Sequence, residues 1–145
     1  MGNWKWEMGN REAANAAGGS AMNDRNALME KSLAFAIRVV RLNQYLVKEK
    51  GEYVLSKQLL RSGTSIGANV TEANDAYSKE DFLFKMYTAL KECPESRYWI
   101  ELLFRTDYIT QTQYDSILAD CAELQKLLTS TTKTMRKNLN ANDSR

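Results

Sequence analysis

"RSGTSIGANVTEA", residues 61–73, decides between a ligand-cradling loop and a packed helix. It holds two glycines, two serines and two threonines among aliphatic residues. A phosphate loop of the Walker type needs G-x-x-x-x-G-K-[ST] between a strand and a helix. Here Gly63 and Gly67 are four apart, and Ala68 and Asn69 follow in place of the lysine and hydroxyl residue. Leu59, Ser62, Ile66 and Val70 keep a helical spacing straight through the segment. The stretch is therefore expected mid-helix. Each glycine there costs up to about 1 kcal/mol relative to alanine. Close approach of a second helix is the usual compensation, so Ser62, Gly63, Ile66, Gly67 and Val70 are the expected helix-packing residues. A hinge and a ligand contact are the weaker alternatives.

The same periodicity extends outward in both directions. A second helix around this stretch starts near Glu52 and ends near Tyr77, with Leu55, Leu59, Ser62, Ile66, Val70 and Ala73 along its stripe. Before it, a first helix runs from a cap at Asp24 to Lys50-Gly51, where glycine suits a left-handed end. Two apolar sets share that helix: Leu28, Phe35, Leu42 and Leu46, and Leu33, Ile37, Val40 and Val47. A third begins at Ser78, a cap with a carboxylate three residues on. Its inner face reads Phe82, Met86, Ala89 or Leu90, Cys93, Ile100 and Leu103, with a break near residues 105–109. Thr110-Gln111-Thr112-Gln113 is a second capping box. It opens a fourth helix carrying Tyr114, Ile117, Cys121, Leu124, Leu127 and Leu128 and ending near Asn138. Long helices with short connections predict an all-α, antiparallel up-down-up-down four-helix bundle over residues 22–138, with a frayed tail over 139–145.

Composition narrows the chemistry. The 145 residues suit one core, with a hydrophobic share of 43%, one proline and seven glycines. There is no histidine, which removes a Ser-His nucleophile, a His-ligated zinc and the Glu-x-x-His di-iron pattern. Cys93 and Cys121 form no C-x-x-C pair and suit small core positions in a reducing cytoplasm. No catalytic residue, cofactor or metal is expected. No apolar run reaches a membrane span. The net charge of +2 is too small on its own to imply nucleic acid.

Residues 1–21 differ from the rest: Trp4 and Trp6 in a polar stretch, then alanines, then Gly18-Gly19-Ser20. They read as an appended or linker-like segment. A native arm using the two tryptophans as anchors for a partner is the alternative.

"LRSGTSIGANVTEA" (residues 60–73), "SKEDFLFKMYTALKE" (78–92) and "ESRYWIELL" (95–103) together resemble the four-helix-bundle proteins encoded in 23S ribosomal RNA intervening sequences. That family is similar to the accessory variability protein of diversity-generating retroelements. The resemblance covers about residues 28–137. It implies a small cytoplasmic bacterial protein that assembles as a ring-like homopentamer. Intervening-sequence members have no established activity, whereas the retroelement proteins bind nucleic acid and a reverse transcriptase. No catalytic residue comes with the resemblance. Pro94 departs from the family's uninterrupted third helix, and a kink near residues 90–94 is expected from the lost hydrogen bond to Leu90.

Three groups of side chains are candidates for function. From Lys31 to Arg61 there are seven cations and two carboxylates. Arg38, Arg41, Lys48, Lys57 and Arg61 are the candidate nucleic-acid-binding residues, against a solvated helix face as the plain reading. The cations Lys133, Arg136 and Lys137 are expected to favour a helix C-terminal dipole. Glu72, Glu92, Glu95 and Glu101 are expected to meet Arg61, Lys91 or Arg97, with a metal site as the alternative. Tyr98, Trp99, Phe82, Phe84 and Tyr87 suit a core or subunit interface better than base stacking; Phe82 and Phe84 cannot share one helix face. The expectation is a non-enzymatic, self-assembling bundle that contacts RNA or a nucleic-acid-processing protein, or else a purely structural ring.

Overall fold

Four helices make up most of residues 21–144, the part of the chain that the computed structural model describes, with side chains from Asn23 onward. They are α1 (Ala21–Lys50), α2 (Leu55–Asn74), α3 (Lys79–Arg105) and α4 (Gln111–Asp143), and no strand occurs among the described residues. Residues 1–20, all but the last residue of the expected appended segment 1–21, lie outside that range, and Ala21 opens α1.

Local chemistry sets each boundary. Gly51 takes φ +63° and ends α1. Ser78 accepts a hydrogen bond from the Asp81 backbone N–H and starts α3. Thr110 and Gln113 form a reciprocal capping box at α4. Asp107 at φ +67° lets the Tyr108 N–H reach the Leu103 carbonyl at 2.9 Å, which closes α3.

Four expectations on helix limits need correction. Asp24 lies in the first turn of α1, not at its cap. α2 starts at Leu55, and Glu52 stands outside it as a capping group. α2 also stops at Asn74, short of Tyr77. α4 continues to Asp143 because no Gly or Pro follows Lys133 to stop it, so residues 139–143 are helical rather than a tail. α3 runs unbroken through Pro94, which sits on its exposed side.

The Glu52 cap is unusual in its reach. Its carboxylate accepts the backbone N–H groups of Val54, Leu55 and Ser56 at 2.9, 2.7 and 2.7 Å. In return the Ser56 hydroxyl donates to the Glu52 carbonyl at 2.9 Å. Glu52 is itself buried. Burial opposes its charge, but the hydrogen bonds from Leu55, Ser56 and Val54 outweigh it and hold the carboxyl below the usual range.

The helices pack antiparallel in chain order around a square, each against its sequence neighbour, and α4 closes on α1. The diagonal pairs do not bring their backbones together. Leu28, Phe35, Leu42 and Leu46 from α1, Leu59, Ile66 and Val70 from α2, Met86, Ile100 and Leu103 from α3, and Ile117, Leu124 and Leu128 from α4 fill the centre. Each buried aliphatic side chain contributes about 1.5–3 kcal/mol relative to exposure.

Residues 61–73 lie between two neighbouring helices. A Cβ on Gly63 would sit 2.9 Å from Val39 Cγ2 and 3.0 Å from Cγ1. A Cβ on Gly67 would sit 3.3 Å from the Ser32 carbonyl oxygen, so α1 comes close enough to touch α2 backbone. Toward α3, Ser96 donates to Ser62 at 2.9 Å within the buried core. Ile66 and Val70 are fully buried. The α1–α4 seam is the sparsest, and it is spanned by ion pairs from Lys31 to Glu123 and from Arg38 to Asp120.

Candidate functional site

The five candidate cations do not gather on one surface. Arg38 turns along the α1–α4 seam, with its side chain only 14% exposed. Its guanidinium pairs with Asp120 and donates to the Ser116 hydroxyl at 2.8 Å. Arg61 lies on the α2–α3 seam, where it pairs with Glu95 and stands 3.8 Å from Glu92. Arg41, Lys48 and Lys57 are exposed and enter no ion pair among the described residues. Arg41 and Lys48 sit on the outer side of α1, and Lys57 on the outer side of α2.

The carboxylates serve the seams. Lys85 pairs with Glu72 at 2.7 Å across α2–α3, and Glu101 takes Arg105 at 2.7 Å together with the Tyr114 hydroxyl. Arg61 holds Glu95 below the usual carboxylate range. Its neighbour Glu92 is pushed up by burial and by the hydrogen bond with Glu95, although Arg61 pulls the other way. Trp99 donates its indole N–H to Glu95 at 3.4 Å. Of the expected partners only Arg61 meets these carboxylates; Glu72 and Glu101 take Lys85 and Arg105 instead, and Lys91 and Arg97 enter no ion pair among the described residues. Among the described residues no group of three or more His, Cys, Asp or Glu side chains is placed to hold a metal ion.

The two apolar sets of α1 part company. The first is buried, whereas Leu33 is 61% and Ile37 46% exposed, with Val40 beside them. Leu33 borders a groove of about 410 Å³ between α1 and α2, together with Met29, Ala36, Gly67, Ala68 and Thr71. The small residues of α2 thus leave the hollow beside the ridge. On α3, Phe82 is buried with the Arg25 guanidinium 4.4 Å from its ring centre, while Phe84 points outward at 65% exposure. Tyr98 is 58% exposed and meets Trp99 edge-on at 4.9 Å. A two-residue step turns a helix by about 200°, which is why Phe82 and Phe84 diverge. α1 and α3 occupy diagonal corners of the square, so the aliphatic patch of α1 and the outward Phe84 of α3 lie on different sides of the chain.

A further surface escaped the sequence reading. Arg97, Gln125, Lys126, Thr129, Ser130 and Lys133 line a groove of about 580 Å³ between α3 and α4, and no carboxylate borders it. Arg97 donates to the neutral amide oxygen of Gln125 at 3.0 Å, so that contact leaves its charge uncompensated. Because α4 reaches Asp143, Lys133, Arg136 and Lys137 lie before its last turn, and the dipole account expected for them does not hold. The signal was present in the sequence: residues 124–142 contain four cations and no carboxylate.

Comparison with known proteins places the chain. A family model described as 23S rRNA-intervening sequence protein matches residues 24–130. A solved structure from Bacteroides thetaiotaomicron, a protein of unknown function from the S23 ribosomal protein family, is 55% identical, with a TM-score of 0.75. The match covers 76% of this chain and 98% of that one. No curated protein matches. No described helix is long and apolar enough to cross a membrane.

Proposed function

The chain belongs to the 23S rRNA-intervening sequence protein family, and from that membership we propose that it is a non-enzymatic, self-assembling cytoplasmic bundle whose copies join head to tail. The supporting observation is the aliphatic patch of Leu33, Ile37 and Val40 on α1 together with the outward Phe84 on α3, at diagonal corners of the square. Large apolar side chains clustered on a surface favour burial against a partner. Two different faces on opposite sides make a heterologous contact, which closes into a ring or continues as a filament. A closed homopentamer is the assembly that the family resemblance implies. In this reading the α1–α2 groove receives Phe84 of the next copy.

Light scattering coupled to size exclusion tests this on the wild type, on Ile37→Asp and on Phe84→Asp. The wild type is expected as a closed oligomer of about five copies and each variant as a monomer. An equimolar mixture of the two variants is expected to give a dimer, because one undamaged α1 face then meets one undamaged α3 face. A wild-type monomer, or a variant that keeps the parent mass, refutes the reading.

A further inference from the structure

We infer that the outer face of α4, with Arg97, is a binding surface for the phosphodiester backbone of RNA. The surface belongs to a single copy and does not depend on head-to-tail assembly. Lys126, Lys133 and Lys137 recur at seven and four residues on α4, which keeps them on one side of the helix. Arg136 lies one position off that line, and Arg97 comes from α3 across the groove. Lys126, Lys133, Arg136 and Lys137 enter no ion pair among the described residues. This distinguishes them from Arg38 and Arg61, which already face carboxylates. Thr129 and Ser130 place hydroxyls along the same groove.

The spacing fits a regular polyanion. From Lys126 to Lys137 the helix rises about 16 Å. One strand of B-form DNA presents a phosphate every 3.4 Å or so along the axis, and the shorter rise of an A-form RNA duplex places at least as many, about five or more, over that length. Five cations stand opposite. The lysine ammonium groups here are point charges on long, flexible stems, which suit phosphate oxygens better than base edges. Binding is therefore to the backbone and indifferent to sequence.

The test is fluorescence anisotropy with a 20-nucleotide mixed-sequence RNA, single-stranded and as a duplex, titrated between 50 and 200 mM salt. Five released counterions predict a loss of affinity over that range of about 500-fold for duplex and about 130-fold for single strand. The two arms thus separate the two forms of the same ligand. Lys126→Gln with Lys133→Gln is expected to lower the slope of log K against log salt by about two-fifths. Arg41→Gln with Lys48→Gln is expected to leave it unchanged. Circular dichroism and light scattering on each variant separate a lost surface from a lost fold or assembly. No RNA binding at 50 mM salt overturns the proposal, as do an unchanged slope in the α4 variant and an equal loss in the α1 variant. Binding to anionic lipid vesicles without binding to RNA also overturns it.

Discussion

Replacing Glu52 by alanine is expected to cost about 2–4 kcal/mol, although the residue lies outside every helix. α2 has no side-chain cap at Val54, so its first N–H groups depend on this one carboxylate. Loss of a capping group costs about 0.5–2 kcal/mol. The N–H of Ser56 is buried and cannot turn to water, which adds about 1–3 kcal/mol for an unsatisfied donor. The N–H groups of Val54 and Leu55 are nearer solvent and recover part of their loss. For a chain of this length the melting temperature falls by about 5–15 °C.

The pH dependence carries a sign. Glu52 has its carboxyl held below the unfolded value, so its stabilisation is present above about pH 4.3 and is lost as pH falls through the folded value. Urea unfolding followed at 222 nm, for wild type and Glu52→Ala at pH 7 and pH 3, should show the difference between them shrinking in acid. A loss under 0.5 kcal/mol at pH 7, or a difference that does not depend on pH, would refute the capping argument.

Two further changes probe the seams. Gly63→Ala drives a methyl against both Val39 methyls; overpacking of about 1–3 kcal/mol outweighs a helix-propensity gain of up to about 1 kcal/mol. Adding Val39→Ala should make room, so the double variant loses less than the two single losses combined; strict additivity would contradict the close contact. Glu92 has its carboxyl raised by burial, so the stability it contributes is present below about pH 4.3 and lost as pH rises through the folded value. Glu92→Gln should therefore raise the urea midpoint at pH 7 and leave it unchanged at pH 3; a lowered midpoint at pH 7 would count against the assignment.

The helices were legible because their apolar residues recur at helical spacing and two of their starts carry side-chain caps in the primary order, Ser78 and Thr110. The Glu52 cap was not, because it acts across a turn on N–H groups two to four positions ahead rather than from the first helical position. The far end of α4 was not legible, because a polar run without glycine or proline resembles a tail yet remains helical. The packing role of Gly63 and Gly67 could be anticipated, since their propensity cost needs a near neighbour. Which charges stay unpaired could not. Arg38 and Arg41 are three residues apart, yet only the rotation of α4 beside α1 brings Asp120 to one and not the other. The acid-free run on α4 could have been noticed from the sequence, but the supposed end of the helix offered a ready explanation for its last three cations.

The α1–α4 seam bears on the order in which the bundle forms. Every other seam joins helices linked by four or five residues, so each can arise as a local hairpin. Lys31 and Glu123 are 92 positions apart, and Arg38 and Asp120 are 82 apart. Contacts of such long sequence separation form late. Here they also gather the sparsest packing and include the Lys31–Glu123 pair, the more exposed of the two, which salt screens. The first and last helices are thus the last to meet and the first to part, and rising ionic strength loosens the bundle along this one edge while the α2–α3 hairpin, buttoned by Ser62 and Ser96, stays shut.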